Sequence, residues 1–132
     1  MRLTPALAAL ALGLGLGLGL AAPAPLAAEV QLVGSTPADK ASAKAPRVVR
    51  LAFSEKVDPA RSVAAIVMTA MPGVANHGEM PIRNFTPSWS QDGKTLALTL
   101  RQALPAGTYE VRWQAAGADG KLVRGTFGFT VG

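Results

Sequence analysis

Residues 109–114 read Tyr-Glu-Val-Arg-Trp-Gln, with a bulky apolar side chain at every second position and a polar side chain between. This alternation with a period of two is typical of a β-strand that has one buried and one solvent-facing side. The same pattern recurs around Leu51, around Leu98 and around Phe129. A chain built from such segments is expected to form sheets that pack together through their apolar faces.

Further strands are predicted at Gln31 to Val33 and at Val63 to Thr69, with a weaker candidate around Pro81 to Phe85. Turn-forming residues separate these segments, as at Asp92-Gly93 and Asp119-Gly120, and no long amphipathic helical pattern competes with them. The sequence therefore predicts an all-β fold, an immunoglobulin-like antiparallel β-sandwich or barrel of about seven strands.

The beginning of the chain predicts an export signal that is separate from the folded domain. Arg2 precedes a long apolar run, and Leu26-Ala27-Ala28 offers small residues for cleavage before Glu29. Because no charged residue follows Arg2 in this segment, an uncleaved form is long enough to span a membrane, but the prolines after the Gly-Leu repeat favour cleavage. We expect a signal peptide at residues 1–28, a periplasmic location and one domain at residues 29–132.

Composition excludes several classes of function. The chain has 13 Lys and Arg against 8 Asp and Glu, a formal net charge of +5, and its basic residues are scattered singly, so nucleic-acid binding is not expected. It has no cysteine, which excludes disulfides and thiolate metal sites. With one histidine and no recognisable nucleophile motif, we expect that the protein is not an enzyme. We also expect it to be a monomer.

Residues 68–80 read Met-Thr-Ala-Met-Pro-Gly-Val-Ala-Asn-His-Gly-Glu-Met and hold every methionine beyond the first residue, together with the only histidine. Thioethers are soft donors that suit Cu(I), and imidazole is a borderline donor that copper also accepts. Hard ions such as Mg²⁺ would find too few oxygen ligands. We therefore predict a Cu(I) site with exposed, exchangeable thioethers, whose ligands are Met68, Met71, His77 and Met80.

Methionine is also a common filler of protein cores, and Met68 lies in a predicted apolar strand where packing alone accounts for it. The alternative function is therefore a sandwich module that interacts with an envelope or membrane protein. In that case the methionines form an adaptable contact surface and bind little or no metal.

Five stretches of the sequence resemble the CopC copper-resistance family of periplasmic copper carriers. The most specific is Val67-Met-Thr-Ala-Met-Pro-Gly73, and the others are Leu32 to Ala38, Leu51 to Glu55, Leu104 to Tyr109 and residues 125–131. The resemblance implies an immunoglobulin-like sandwich with a methionine-rich Cu(I) site in a loop at one end. It also implies a carrier or buffer in copper resistance, with a CopD-like inner-membrane copper transporter as its partner.

Two features of the loop depart from the family pattern. Val74 stands where the family often has another methionine, and the spacing to His77 is one residue longer. The matching positions nevertheless place Met68, Met71, His77 and Met80 on the Cu(I) site.

The family's second site, for Cu(II), is altered more strongly. The resemblance places Glu29, Glu55, Asp119 and Lys121 where the family has an N-terminal histidine, an acid after Phe-Ser and an Asp-x-His pair. Both histidines are missing, and Cu(II) favours imidazole donors, so we expect this site to be degenerate. One hypothesis is that the Lys121 ammonium neutralises Glu55 and Asp119, and the alternative is that all three are ordinary surface charges.

Overall fold

The computed structural model describes residues 29–75 and 78–132, in which the chain forms nine strands and one short 3₁₀ turn at Pro59–Arg61. The strands are β1 Leu32–Thr36, β2 Ser42–Ala43, β3 Val48–Phe53, β4 Val63–Ala70, β5 Met80–Ile82, β6 Phe85–Trp89, β7 Thr95–Leu100, β8 Gly107–Ala116 and β9 Leu122–Val131.

The strands divide between two sheets that face each other. The five-stranded sheet has the order β2-β9-β8-β4-β5, and the four-stranded sheet has the order β1-β3-β7-β6. Neighbouring strands pair antiparallel, except that β2 pairs parallel with the end of β9. The predicted all-β sandwich is therefore confirmed.

The apolar and polar residues that alternate in the sequence lie on opposite faces of each sheet, the apolar ones facing the core. On β8 the large buried side chains are Tyr109, Val111 and Trp113, and the residues between them are only half-buried. Aromatic rings join the two sheets, since Phe53 of β3 meets Trp113 edge-on with ring centroids 5.4 Å apart. Such edge-to-face pairs stabilise a core beyond the effect of burial alone.

A tyrosine corner closes the connection before β8. The Tyr109 hydroxyl donates a hydrogen bond of 2.6 Å to the carbonyl of Pro105, four residues earlier, and the ring stacks on Phe129 with centroids 5.6 Å apart. Burial raises the pKa of Tyr109 above its usual value. This arrangement is a hallmark of immunoglobulin-like sandwiches.

The strand predicted around Pro81 to Phe85 is wrong as a single element. The chain instead forms β5, which pairs with β4, and then β6, which pairs with β7 in the other sheet. Both strands contain a proline and lie at sheet edges, where a missing backbone donor is tolerated. The two-residue strand β2 was not predicted either, because so short a segment carries no periodic signal.

In the described part of the chain, no helix is long and apolar enough to cross a membrane. The predicted signal peptide at residues 1–28 lies outside the described residues.

Replacing Tyr109 with phenylalanine tests the tyrosine corner. Tyr109→Phe keeps the ring and removes the hydrogen bond to Pro105, so we expect the free energy of unfolding to fall by about 1 kcal/mol. Urea denaturation monitored by tryptophan fluorescence measures this change. An unchanged transition midpoint would show that the hydrogen bond contributes nothing to the fold.

Candidate metal centre

Strand β4 carries Met68 near its end, and the edge strand β5 begins at Met80. The two residues are direct partners in the antiparallel register. Side chains of directly opposed residues project from the same face of a sheet, with Cβ atoms about 4.5–5.5 Å apart. Met68 belongs to the core cluster and is 2% exposed, whereas Met80 is 47% exposed. The pair therefore extends from the core to the surface.

A tight turn places Met71 just beyond the end of β4. The Val74 amide donates to the Met71 carbonyl at 3.1 Å, and between them stand Pro72 and Gly73, whose φ is 75°. A type II turn requires a positive φ at its third position and favours proline at its second. The Met-Pro-Gly sequence thus determines the direction in which the chain leaves β4.

Met71 is half-buried and packs against the same hydrophobic cluster that contains Met68. It lines a cleft together with Gly107, Thr108 and Val131, on the side of β4 where β8 and β9 lie. Met80 lies on the opposite flank of β4, on β5. The three methionines therefore share one end of the five-stranded sheet, with Met68 in the middle.

His77, the fourth predicted ligand, lies outside the described residues and stays a prediction. The expectation of exposed thioethers is wrong for Met68, because this side chain completes the inner face of β4 with Ala64 and Ile66. It holds for Met80.

Gly107 marks the closest approach between β8 and the methionine end of β4. A Cβ atom at this position would lie 2.8 Å from the carbonyl oxygen of Ala70 and 3.0 Å from Cε of Met68. The 2.8 Å approach to the Ala70 backbone oxygen is too short for a real Cβ contact, whereas Cε of Met68 ends a flexible side chain that can shift, so it is the backbone of β4 that requires glycine here.

On the outer face of the same sheet, Arg112 of β8 joins two carboxylates. Its Nη1 and Nη2 donate to the two oxygens of Glu79 at 3.2 and 2.5 Å, and its Nε donates to Glu110 at 2.7 Å. These hydrogen bonds, and secondarily the positive charge, lower the pKa of Glu79, and the two carboxylates raise the pKa of Arg112. Glu79 immediately precedes Met80, so the ion pair attaches the end of the methionine loop to β8.

Sequence reasoning missed this pair. The alternation in β8 shows that Arg112 points outward, but its partner Glu79 lies 33 positions earlier in the chain. No local pattern connects the two residues, and only the order β8-β4-β5 brings them together.

A family model of the CopC domain matches residues 32–132. The chain belongs to the CopC family. The copper resistance protein C of Xanthomonas campestris pv. juglandis is 38% identical over 106 residues, which cover 79% of this chain and 80% of the relative. The protein of that name from Pseudomonas syringae pv. tomato is 39% identical over 104 residues, which cover 79% and 81%.

Solved structures agree with this assignment. The crystal structure of PcoC, a methionine-rich copper resistance protein from Escherichia coli, matches with a TM-score of 0.71 at 33% identity, covering 80% of this chain and all of that one (100%). CopC proteins are copper-binding and non-enzymatic, so the prediction that this chain is not an enzyme is confirmed.

At the other end of this CopC domain lie Glu29, Glu55, Asp119 and Lys121, the positions that the resemblance assigns to a Cu(II) site. Among residues 29–75 and 78–132, no group of three or more His, Cys, Asp or Glu side chains is arranged to hold a metal ion. Asp119 Oδ1 accepts instead from the backbone amide of Lys121 at 3.0 Å. In the same ranges the ion pairs all involve Arg112, so the hypothesis that Lys121 neutralises Glu55 and Asp119 has no direct contact to support it.

A methyl group added at Gly107 tests the packing around Met68. We expect Gly107→Ala to lower the free energy of unfolding by about 1–3 kcal/mol, because the new Cβ meets the backbone oxygen of Ala70. We also expect the NMR methyl signal of Met68 to shift.

Gly34→Ala is the matched control, since a Cβ at Gly34 meets nothing within 4 Å. Chemical denaturation of both variants measures the difference. Equal stability of the two would contradict the close approach at Gly107.

Proposed function

We propose that this CopC-family chain is an exported Cu(I) carrier or buffer of the periplasm, with its copper site at Met68, Met71, His77 and Met80. The observation that carries the proposal is the register that sets Met68 directly opposite Met80. The sheet thereby brings two thioethers side by side, and the turn at Pro72-Gly73 begins the loop with a third.

The donor set favours Cu(I) over other ions. Three neutral thioethers and one imidazole are soft or borderline ligands, and Cu(I) needs no further donors. The chain has no cysteine, so thioethers are its only sulfur ligands. Methionine does not form disulfides, and this property suits an oxidising compartment.

The different exposures of the methionines support different roles for them in the proposed site. Met80 is nearly half exposed, and Met71 is half-buried, so these two can exchange copper with another molecule. Met68 is buried and forms the inner limit of the site, where it contributes the donor that lies farthest from solvent. Copper would therefore enter and leave over Met80 and Met71.

Export and transfer complete the proposal. The signal at residues 1–28 would deliver the domain at 29–132 to the periplasm. The relatives are named for copper resistance, which fits a protein that binds excess copper and passes it to a CopD-like inner-membrane transporter. The chain would act as a monomer in that role.

Methionine-to-leucine variants test the Cu(I) site with little change in volume. Under a competing Cu(I) chelator, we expect the mature protein to bind one equivalent. Met80→Leu and Met71→Leu should each weaken binding by more than about tenfold, since loss of an outer-shell partner alone typically costs about 10- to 100-fold. Val74→Met, which supplies the methionine that the family often has, should strengthen binding.

X-ray absorption of the copper-loaded protein provides the second measurement. Sulfur-dominated coordination is expected, and coordination by nitrogen and oxygen alone would reject the site. Equal copper uptake by the wild type and a Met71→Leu, Met80→Leu double variant would also reject it.

The Cu(II) positions give a separate prediction. Because their carboxylates form no cluster and both histidines are missing, we expect isothermal titration of the mature protein to show no tight one-to-one Cu(II) binding. Replacing both Glu29 and Lys121 with histidine should create such binding. Tight binding by the wild type would contradict the loss of this site.

One observation favours the alternative function, an interaction module. In the described part of the chain, β5 pairs with β4 only at Ile66, Val67 and Met68, so the first half of β4 is a sheet edge that no strand covers. Val63 on this edge is 59% exposed, and Phe85 and Trp89 line an adjacent groove. A copper titration without uptake would leave this edge as the best candidate for function.

A further inference from the structure

We propose that Arg112 is a positioning residue for the copper site, which holds Met80 beside Met68 through its bidentate ion pair with Glu79. This inference rests on the proposed Cu(I) function and adds a residue that makes no contact with the metal in that function. Three observations support it: the length of β5, the geometry of the ion pair and the burial of Val67.

Strand β5 is too short to hold its own position. It has three residues, lies at the edge of the five-stranded sheet and contains Pro81, which has no backbone N–H to donate. With three register pairs to β4 and no strand on its other side in the described part of the chain, β5 is held by few backbone hydrogen bonds. Met80 is the first residue of β5, so fraying of this strand would move its thioether away from Met68.

The ion pair with Arg112 compensates for this weakness. Both oxygens of Glu79 accept from the guanidinium, and the third donor, Nε, is held by Glu110 on the same strand. A bidentate arginine–carboxylate pair has a defined geometry, unlike a single contact with a lysine. Since β8 is paired along both of its sides, Arg112 fixes Glu79 to the most firmly held strand of the sheet.

The burial of Val67 is an independent sign that the ion pair closes over β4. Val67 is 6% exposed, although it lies outside the core cluster and on the outer face of the sheet. Its register partners are Pro81 on one side and Glu110 on the other. The Arg112 guanidinium contacts Glu110 on one side of Val67 and Glu79 on the other. The aliphatic part of an arginine side chain can cover apolar surface, so this contact accounts for the burial of Val67.

The experiment compares Arg112→Gln, Glu79→Gln and the double variant with the wild type. Arg124→Gln is the matched control, because Arg124 lies on the same sheet and donates to the neutral side chain of Gln114 at 3.0 Å. The Cu(I) dissociation constant is measured under a competing chelator at low ionic strength and at about 1 M, where charge interactions are screened. A sulfate salt sets the ionic strength, because chloride is itself a Cu(I) ligand.

We expect Arg112→Gln to raise the Cu(I) dissociation constant about two- to fivefold at low ionic strength, which is the scale of a well-aligned exposed ion pair. The effect is smaller than that of losing a group that contacts a ligand directly, because Arg112 acts on Met80 only through Glu79. The double variant should match either single variant, since both remove the same interaction. High ionic strength should weaken binding by the wild type and leave Arg112→Gln unchanged. The control should behave as the wild type.

A copper-free measurement separates this inference from the proposed function. In ¹³C-methyl NMR of the apo protein, Arg112→Gln should lower the order parameter of the Met80 methyl and leave that of Met71 unchanged, whereas general destabilisation would affect both. Failure of the wild type to bind Cu(I) would remove the copper function, and the Met80 signal would still show whether the ion pair holds β5. Unchanged affinity and unchanged Met80 order in Arg112→Gln would overturn the proposal.

Discussion

Strand β8 pairs with β4 on one side and with β9 on the other over most of its length, while its inner face carries Tyr109, Val111 and Trp113 into the core. Two features of the methionine end of the sheet depend on this double pairing. Gly107, at the start of β8, leaves the space that Met68 occupies, and Arg112 presents a guanidinium to the opposite face. A displacement of β8 would therefore disturb the buried and the exposed parts of the site together.

The fold was largely predictable because a strand with one buried face has an apolar residue at every second position. Strands β3, β7, β8 and β9 each place apolar residues on one side, and the structure confirms all four. Strand β6 was missed because its sequence, Phe-Thr-Pro-Ser-Trp, has a proline at the centre and only half-buried ends. An edge strand that covers little of the core needs few apolar residues and tolerates a proline. Its sequence therefore lacks the alternation by which the other strands were recognised.

The candidate site was predictable only where its parts are close in sequence. The methionines could be recognised together because they fall within residues 68–80, and the Met-Pro-Gly turn has a local signature. Met68 is buried, as its place in a predicted apolar strand indicated, and its role as a ligand stays a prediction. The register that opposes Met68 to Met80 is set by the length of the loop between them, and the Glu79 contact is set by strand order. Neither the register nor the Glu79 contact can be recognised from neighbouring residues in the sequence.

The two ends of the sandwich differ in how a metal site could be assembled. The Cu(II) positions come from separate parts of the chain, at residues 29, 55, 119 and 121, so each must be a suitable donor and be brought into place by the fold. The proposed Cu(I) donors all come from one stretch of chain, residues 68–80, and the sheet has only to hold the two ends of that stretch. The turn at Pro72-Gly73 holds the first end, and the pair of Glu79 with Arg112 holds the second.

The same ion pair affects which donors are available beside Met80. Both oxygens of Glu79 accept hydrogen bonds from Arg112, so the nearest carboxylate in the chain is already engaged. A hard cation, which needs several oxygen ligands, therefore gains nothing from this residue, whereas thioethers retain their lone pairs for a soft ion. Because Arg112 binds the carboxylate on the outer face and Met68 lies on the inner face, β4 separates the charged groups from the sulfur donors. This separation of carboxylates from thioethers is consistent with the proposed preference of the site for a soft metal ion.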